Sequence, residues 1–224
     1  MQRVLQFLTL AMVLALGACN AETSDHVAQS AEIDVSKLQN GIDYELLSNP
    51  VPTVDDTKIE VTEIFWYGCI HCYNLEPKLE GWLPTLGDDV VFNPVPAIWH
   101  PSMELHARMY YANQALGLYD QLHGAIFEAM NDGNKRFASE DEVLDWVEDQ
   151  GVDPDAYSRA MNSFGVNSQI NQVQAKMVSY NVRGTPELVV NGKYHLTTTL
   201  AKTQDNMLVI ASALIEQERT ANAQ

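Results

Sequence analysis

The chain has 224 residues, 46% of them hydrophobic, with 9 prolines, which suits one domain of ordinary size with a real core and excludes a wholly disordered protein. Its 30 acidic and 13 basic side chains leave a formal charge of −17, so it has no basic stripe with which to neutralise nucleic-acid phosphates. At the N-terminus, Arg3 precedes an apolar stretch from Val4 to Leu16 that is broken only by Gln6 and Thr9. That run is too short to span a bilayer comfortably and has the length of the apolar region of a secretory signal.

The run closes on Leu16-Gly17-Ala18-Cys19, which resembles a bacterial lipobox. The resemblance implies a lipoprotein-type signal peptide over 1–18 and acylation of Cys19 as the first mature residue, anchoring the protein to a membrane. Ordinary cleavage nearby is the alternative. Asn20 is not the aspartate of an inner-membrane retention signal, so the expected site is the outer membrane, facing the periplasm. Residues 19–38 are rich in Ala, Ser, Glu, Asp and Gln and read as a flexible tether. Export places the remaining thiols, Cys69 and Cys72, in an oxidising compartment where a disulfide persists.

Order is expected from a short strand at Gly41-Ile42-Asp43-Tyr44. A buried strand follows over Ile59–Tyr67, then a helix over Ile70–Trp82 that Pro77 should kink, then a strand beginning at Val90. Strand–helix–strand makes a parallel βαβ unit. A long helical block comes next. Leu105, Met109, Ala112 and Leu116 share one helical face, as do Leu122, Ala125, Ile126 and Ala129. Ser139 with Glu142 forms a capping box, Gly151 ends that helix, and Asp153-Pro154 starts another. A further helix is predicted over Ser168–Tyr180. Tyrosines and methionines between Met103 and Tyr119 are read as core rather than as the floor of a peptide groove. Leu188-Val189-Val190, Asn191-Gly192 and Lys193–Leu196 form a hairpin, and Met207, Ala211, Leu214 and Ile215 mark a closing amphipathic helix.

Residues 65–77 read FWYGCIHCYNLEP, with two cysteines three apart at a strand-to-helix junction. A disulfide across so small a loop removes little unfolded-state entropy and is a poor staple. Zinc requires two further ligands; His100 and His106 are available, but no second pair at tight spacing exists, and His71 has poor geometry beside both cysteines. A thiol at a helix N-terminus is stabilised as thiolate by the unpaired N–H groups and the dipole. Cys69 would then be the exposed nucleophile and Cys72 the shielded resolving thiol. Spacing alone leaves staple, metal and redox pair all open.

This segment, together with VRGTPELVVNGKY (182–194) and the helical block between them, resembles the DsbA family of exported thiol oxidases over roughly residues 40–218. The resemblance implies an α/β, thioredoxin-like fold with an inserted all-helical subdomain: 39–98 as its first part, 99–180 as the insert, 181–218 as its second part. It implies that Cys69 is the attacked sulfur, that Cys72 resolves, and that the His71 imidazole helps stabilise the thiolate. Thr185-Pro186 matches the family's cis-proline loop, which leaves Thr185 backbone groups free to pair with an extended peptide substrate. Glu63 matches a buried acid that could relay a proton for Cys72, or else is a solvated edge-strand glutamate. The family's partner lysine is missing, Asn93 standing in its place by count. Ile70 departs from the proline of many strongly oxidising members.

The function implied is oxidation of dithiols in secreted or periplasmic proteins through a Cys69–Cys72 redox disulfide. Its partners would be reduced exported proteins and a quinone-linked membrane reoxidant resembling DsbB. Neither metal nor cofactor nor nucleic acid is implied, and the protein is expected to be a monomer. A reductase or isomerase on the same scaffold is the nearer alternative, although no dimerisation module precedes the domain. A non-catalytic, chaperone-like binding lipoprotein is the alternative of another class.

Overall fold

Every residue of strand β2, Ile59–Phe65, is buried in the computed structural model, which describes residues 33–223. The expected signal peptide, the acylation site Cys19 and residues 19–32 of the expected tether lie outside the described residues. At the described end of that tether, Ile33 and Leu38 pack against the core.

The elements run β1 (Glu45–Leu46), β2, α1 (Ile70–Trp82), β3 (Val90–Pro96), five helices, then β4 (Glu187–Val190), β5 (Tyr194–Thr197), α7 (Thr198–Ala201) and α8 (Gln204–Asn222). The five helices are α2 (Pro101–Leu116), α3 (Tyr119–Asn131), α4 (Glu140–Asp149), α5 (Pro154–Met161) and α6 (Phe164–Ser179). The sheet order is β1-β5-β4-β2-β3, with β2 and β3 parallel and every other neighbouring pair antiparallel. This is the thioredoxin-like α/β fold with a helical insertion, the βαβ unit supplying β2-α1-β3 and the hairpin β4-β5 closing the sheet.

Alternation along β2 builds two cores. Ile59 and Val61 face Leu75 and Leu79 of α1 and Ile210, Ala211 and Leu214 of α8. Ile64 faces the other side, against Val166, Ile170, Val173 and Met177 of α6. A third core lies within the insert, where Met109, Leu122, Ile126, Val147 and Tyr157 meet Phe65, Tyr67 and Cys72 from the strand-to-helix junction. The insert therefore packs directly on the CxxC segment. Met103, Met109 and Tyr110 are core residues, as their helical spacing predicts.

Helix boundaries follow their caps. Ser139 Oγ accepts the Glu142 N–H, but Glu142 reaches back to the Ala138 N–H, one residue beyond the expected capping-box partner. Asp153 caps α5 through the N–H groups of Asp155 and Ala156. Helix α6 starts four residues ahead of its expected position, because Ser163 Oγ caps the Val166 N–H. The short strand expected at 41–44 is a turn instead: Gly41 has φ +82° and accepts a left-handed conformation that a strand cannot use. Strand β1 begins just after it, pairing Glu45 with His195.

Candidate active site

Strand β2 ends at Phe65, and Trp66-Tyr67-Gly68 turn the chain into α1. The turn is tight. A Cβ on Gly68 would lie 2.5 Å from the Trp66 ring, so the indole lies over a position that only glycine leaves open. Trp66 Nε1–H donates to His106 Nδ1 at 2.9 Å, while His106 Nε2 faces the carbonyls of Arg136 and Phe137 at 3.1 and 3.3 Å. An indole only donates, so His106 carries its proton on Nε2 and ties the turn to the insert. Burial lowers its pKa. His100 caps α2 through the Ser102 N–H. Both histidines weighed as zinc ligands are thus engaged elsewhere, and no cluster of three metal-ligating side chains occurs among the described residues.

Cys69 is the N-cap of α1 in extended conformation and makes no side-chain cap bond, so the helix N–H groups remain available to its sulfur. Both Cys69 and Cys72 are free thiols in the structure, Cys69 half-buried and Cys72 fully buried. A hydrogen bond from the Cys72 thiol is the largest influence on Cys69; with the Thr185 side chain and the N–H groups of Cys72 and His71 it outweighs burial and lowers the Cys69 pKa to about 5. Burial pushes Cys72 the opposite way, reinforced by its bond to Cys69 and by the negative charge of Cys69 and Glu63. The two thiols of one helical turn are thus split into an acidic, accessible one and a shielded, reluctant one.

His71 is exposed, and what reaches Cys69 is its backbone N–H. Its imidazole makes no hydrogen bond among the described residues, while its carbonyl accepts from Gln204 Nε2 at 2.6 Å. Ile70 is 49% exposed beside the cysteines and offers an apolar surface at the mouth of the site.

Glu63 is buried on an interior strand, not solvated, on the face of β2 that α1 covers. Burial, then the nearby charge of Glu76, then that of Cys69, hold its pKa well above the ordinary carboxylate value. The register places Pro94 opposite Glu63, whereas Asn93 lies opposite Thr62 and donates to Glu60 Oε1 at 2.8 Å on the other face. Asn93, the residue that stands in the family lysine's place by count, is thus one residue out of register and on the wrong side of the sheet. Glu63 Oε1 and Glu76 Oε1 are both buried without a hydrogen-bond partner among the described residues. Glu76 Oε2 lies 3.3 Å from His123 Nε2, and Tyr67 Oη lies 2.8 Å from His123 Nδ1.

The opposite wall is the segment before β4. The Thr185–Pro186 bond is cis, and Cys69 Sγ donates to the Thr185 carbonyl at 3.3 Å, joining residues 116 apart in sequence. A cavity of about 280 Å³ opens alongside, lined by Thr185, Pro186, Thr198 and Leu200 among others. The structure therefore brings Cys69, Cys72, Glu63, Thr185 and Pro186 to one place, with His71 at its rim.

Sequence reasoning missed Glu76, His123, Glu187 and His195. Glu187 and His195 carried a signal, since a charged group beside Leu188-Val189-Val190 and an imidazole between Tyr194 and Leu196 fall in a hairpin expected from the sequence. Glu76 and His123 carried none, because their proximity depends on how α3 packs on α1.

A family model described as a DSBA-like thioredoxin domain matches residues 87–214. The thiol:disulfide interchange protein DsbA of Azotobacter vinelandii is 37% identical over 210 residues, 93% of this chain and 98% of that one. The Pseudomonas aeruginosa protein of the same name is 37% identical over 181 residues, 81% of this chain and 86% of that one. The crystal structure of Pseudomonas aeruginosa DsbA superposes with a TM-score of 0.81 at 35% identity, covering 84% of this chain and 98% of that chain. Xylella fastidiosa DsbA gives 0.76 at 31% identity, covering 82% and 98%. With a thioredoxin-like sheet, a helical insertion and an acidic thiol facing a cis-proline, the chain belongs to the DsbA family of thiol:disulfide oxidoreductases.

Proposed function

We propose that the protein is an exported dithiol oxidase that acts through a Cys69–Cys72 disulfide. A substrate thiolate attacks Cys69 Sγ, the S–S bond breaks, and its electron pair leaves on Cys72, which takes up a proton. The second substrate thiolate then attacks the substrate sulfur of the mixed disulfide and expels Cys69 as thiolate. Two electrons pass to the enzyme, and the substrate leaves oxidised. An acidic thiol is the better leaving group, so the carrying observation is the Cys69 pKa of about 5 beside a Cys72 that burial keeps protonated. Glu63, buried near the pair with its pKa raised well above the ordinary carboxylate value, would exchange the proton of Cys72. Thr185 and Pro186 would receive the substrate backbone. Reduced exported proteins are the substrates on this reading, and a quinone-linked membrane partner resembling DsbB removes the electrons.

The test of direction is a glutathione redox titration of Cys69–Cys72. The expected equilibrium lies well to the oxidising side of thioredoxin, whose potential is about −270 mV. A value near that of thioredoxin overturns the oxidase reading in favour of a reductase. The binding-protein alternative has no use for an acidic thiol opposed to a buried one.

The expected compartment is the periplasm, with the chain monomeric and held at a membrane, preferably the outer one, by lipid on Cys19. Mass spectrometry of the mature N-terminus checks the anchor. The expected result is a diacylglyceryl-modified Cys19, and an unmodified chain beginning after Cys19 removes the anchor from the proposal.

A further inference from the structure

The segment 183–186 presents Thr185 to Cys69, yet it takes part in no backbone–backbone hydrogen bond among the described residues. What holds it is a side chain. Glu187, the first residue of β4 and the neighbour of Pro186, folds its buried carboxylate back onto the Arg183 N–H, with both oxygens at 3.3 Å. The same carboxylate lies 2.7 Å from Nε2 of His195, which is fully buried on the adjacent strand β5. His195 Nδ1 has no hydrogen-bond partner among the described residues and lies 3.8 Å from Glu45 Oε2 on β1. Glu45 in turn receives the Arg183 guanidinium at 3.2 and 3.4 Å. The contacts form a ring from the Arg183 backbone through Glu187, His195 and Glu45 to the Arg183 side chain. It spans three strands and encloses the base of the cis-proline loop.

A carboxylate and an imidazole buried together in strands whose other buried residues are Leu, Val and Tyr cost desolvation that two apolar residues would avoid. Neither touches a cysteine, so neither has a part in the exchange chemistry. Their geometric consequence is confined to where residues 183–186 sit. We propose that Glu187 and His195 are positioning residues that set the register of the cis-proline loop against Cys69, and so govern both peptide capture by Thr185 and the Thr185 contact with the Cys69 sulfur. The assignment to peptide capture rests on the dithiol-oxidase reading; the assignment to the Cys69 contact does not.

The experiment compares the parent with Glu187→Ala, Glu187→Gln and Glu45→Gln in two measurements. The first is steady-state oxidation of a synthetic peptide dithiol. The second is the ultraviolet thiolate absorbance of reduced Cys69 against pH, which needs no substrate. Glu187→Ala is expected to raise KM for the peptide about fivefold, the size of one misplaced hydrogen bond, with a much smaller change in kcat. It should also move the thiolate midpoint upward from about 5 as the Thr185 side chain is withdrawn from the Cys69 sulfur. Glu187→Gln keeps an acceptor for the Arg183 N–H, and its amide can meet the other tautomer of His195, so it is expected to restore most of both values. Glu45→Gln, at the exposed edge of the ring, should shift both in the same direction by less, and it carries the test if Glu187→Ala does not fold. Parental KM and parental midpoint in Glu187→Ala and Glu45→Gln overturn the inference. A parent that fails to oxidise the peptide overturns the oxidase reading instead, and the thiolate midpoints still decide whether the ring positions the loop.

Discussion

Cys69→Ser is expected to reduce dithiol oxidation to the rate without enzyme, a loss of at least about 10³-fold, because Cys72, the other thiol among the described residues, is buried. Cys72→Ser should behave differently. Its Cys69 remains an accessible thiol at a helix N-terminus, but an internal attack by Cys72 can no longer free a captured substrate, so mixed disulfides should accumulate on non-reducing gels. Equal, full activity in the two variants would return the binding-protein alternative. The same pair of cysteines carries a measurable asymmetry. With a pKa of about 5, Cys69 holds about a hundred thiolates per thiol at pH 7, and its alkylation rate should level off well below neutrality. Since the Cys72 thiol is the first contributor to that acidity, Cys72→Ala should raise the midpoint; a midpoint unmoved would assign the acidity to the helix N–H groups and Thr185 alone.

Glu63→Gln is expected to stabilise the fold at pH 7 while slowing the enzyme. Burial raises the Glu63 pKa in the folded state above its unfolded value near 4.5, so between these values the folded protein binds the proton and the unfolded chain does not. Stability from this group is complete below the unfolded pKa and is lost as pH rises through the folded one. Glutamine cannot ionise, so the variant should lose that decline and gain stability at neutral pH, about 1.4 kcal/mol for each pH unit over which only the folded form holds the proton. For a domain of this size that is roughly 2–4 °C in Tm per kcal/mol. Denaturant unfolding at several pH values reads the sign directly. A parent and variant with parallel stability profiles would mean that Glu63 is solvated, contrary to its burial. If Glu63 exchanges the Cys72 proton, turnover should fall by up to about 10²-fold in the same variant.

Much of the fold could be read along the chain because its cues are local. Helix α1 occupies its expected span, Ile70–Trp82, where the strand-to-helix change in periodicity and the CxxC position coincide. Asp153-Pro154 starts α5 and Asn191-Gly192 turns the hairpin, both at positive or capped backbone positions that few residue types accept. Where local cues were mixed, boundaries moved. Gly41 belongs to a turn, and Ser163 rather than Ser168 begins α6, since a serine caps only where its oxygen meets a free N–H.

For the site, the sequence by itself determined that Cys69 and Cys72 stand at the start of a helix, and its family motifs pointed to the proline that faces them, because helix termini and motifs are written in contiguous residues. Only the tertiary structure decided what surrounds them. Asn93 and Pro94 exchange faces with one step of strand register, and the His71 N–H reaches the Cys69 sulfur. The Glu187–His195 pair exists because β4 lies beside β5, and Glu76 meets His123 because α3 packs on α1. Burial and through-space charge set the behaviour of these groups, and both depend on contacts between residues far apart in the chain.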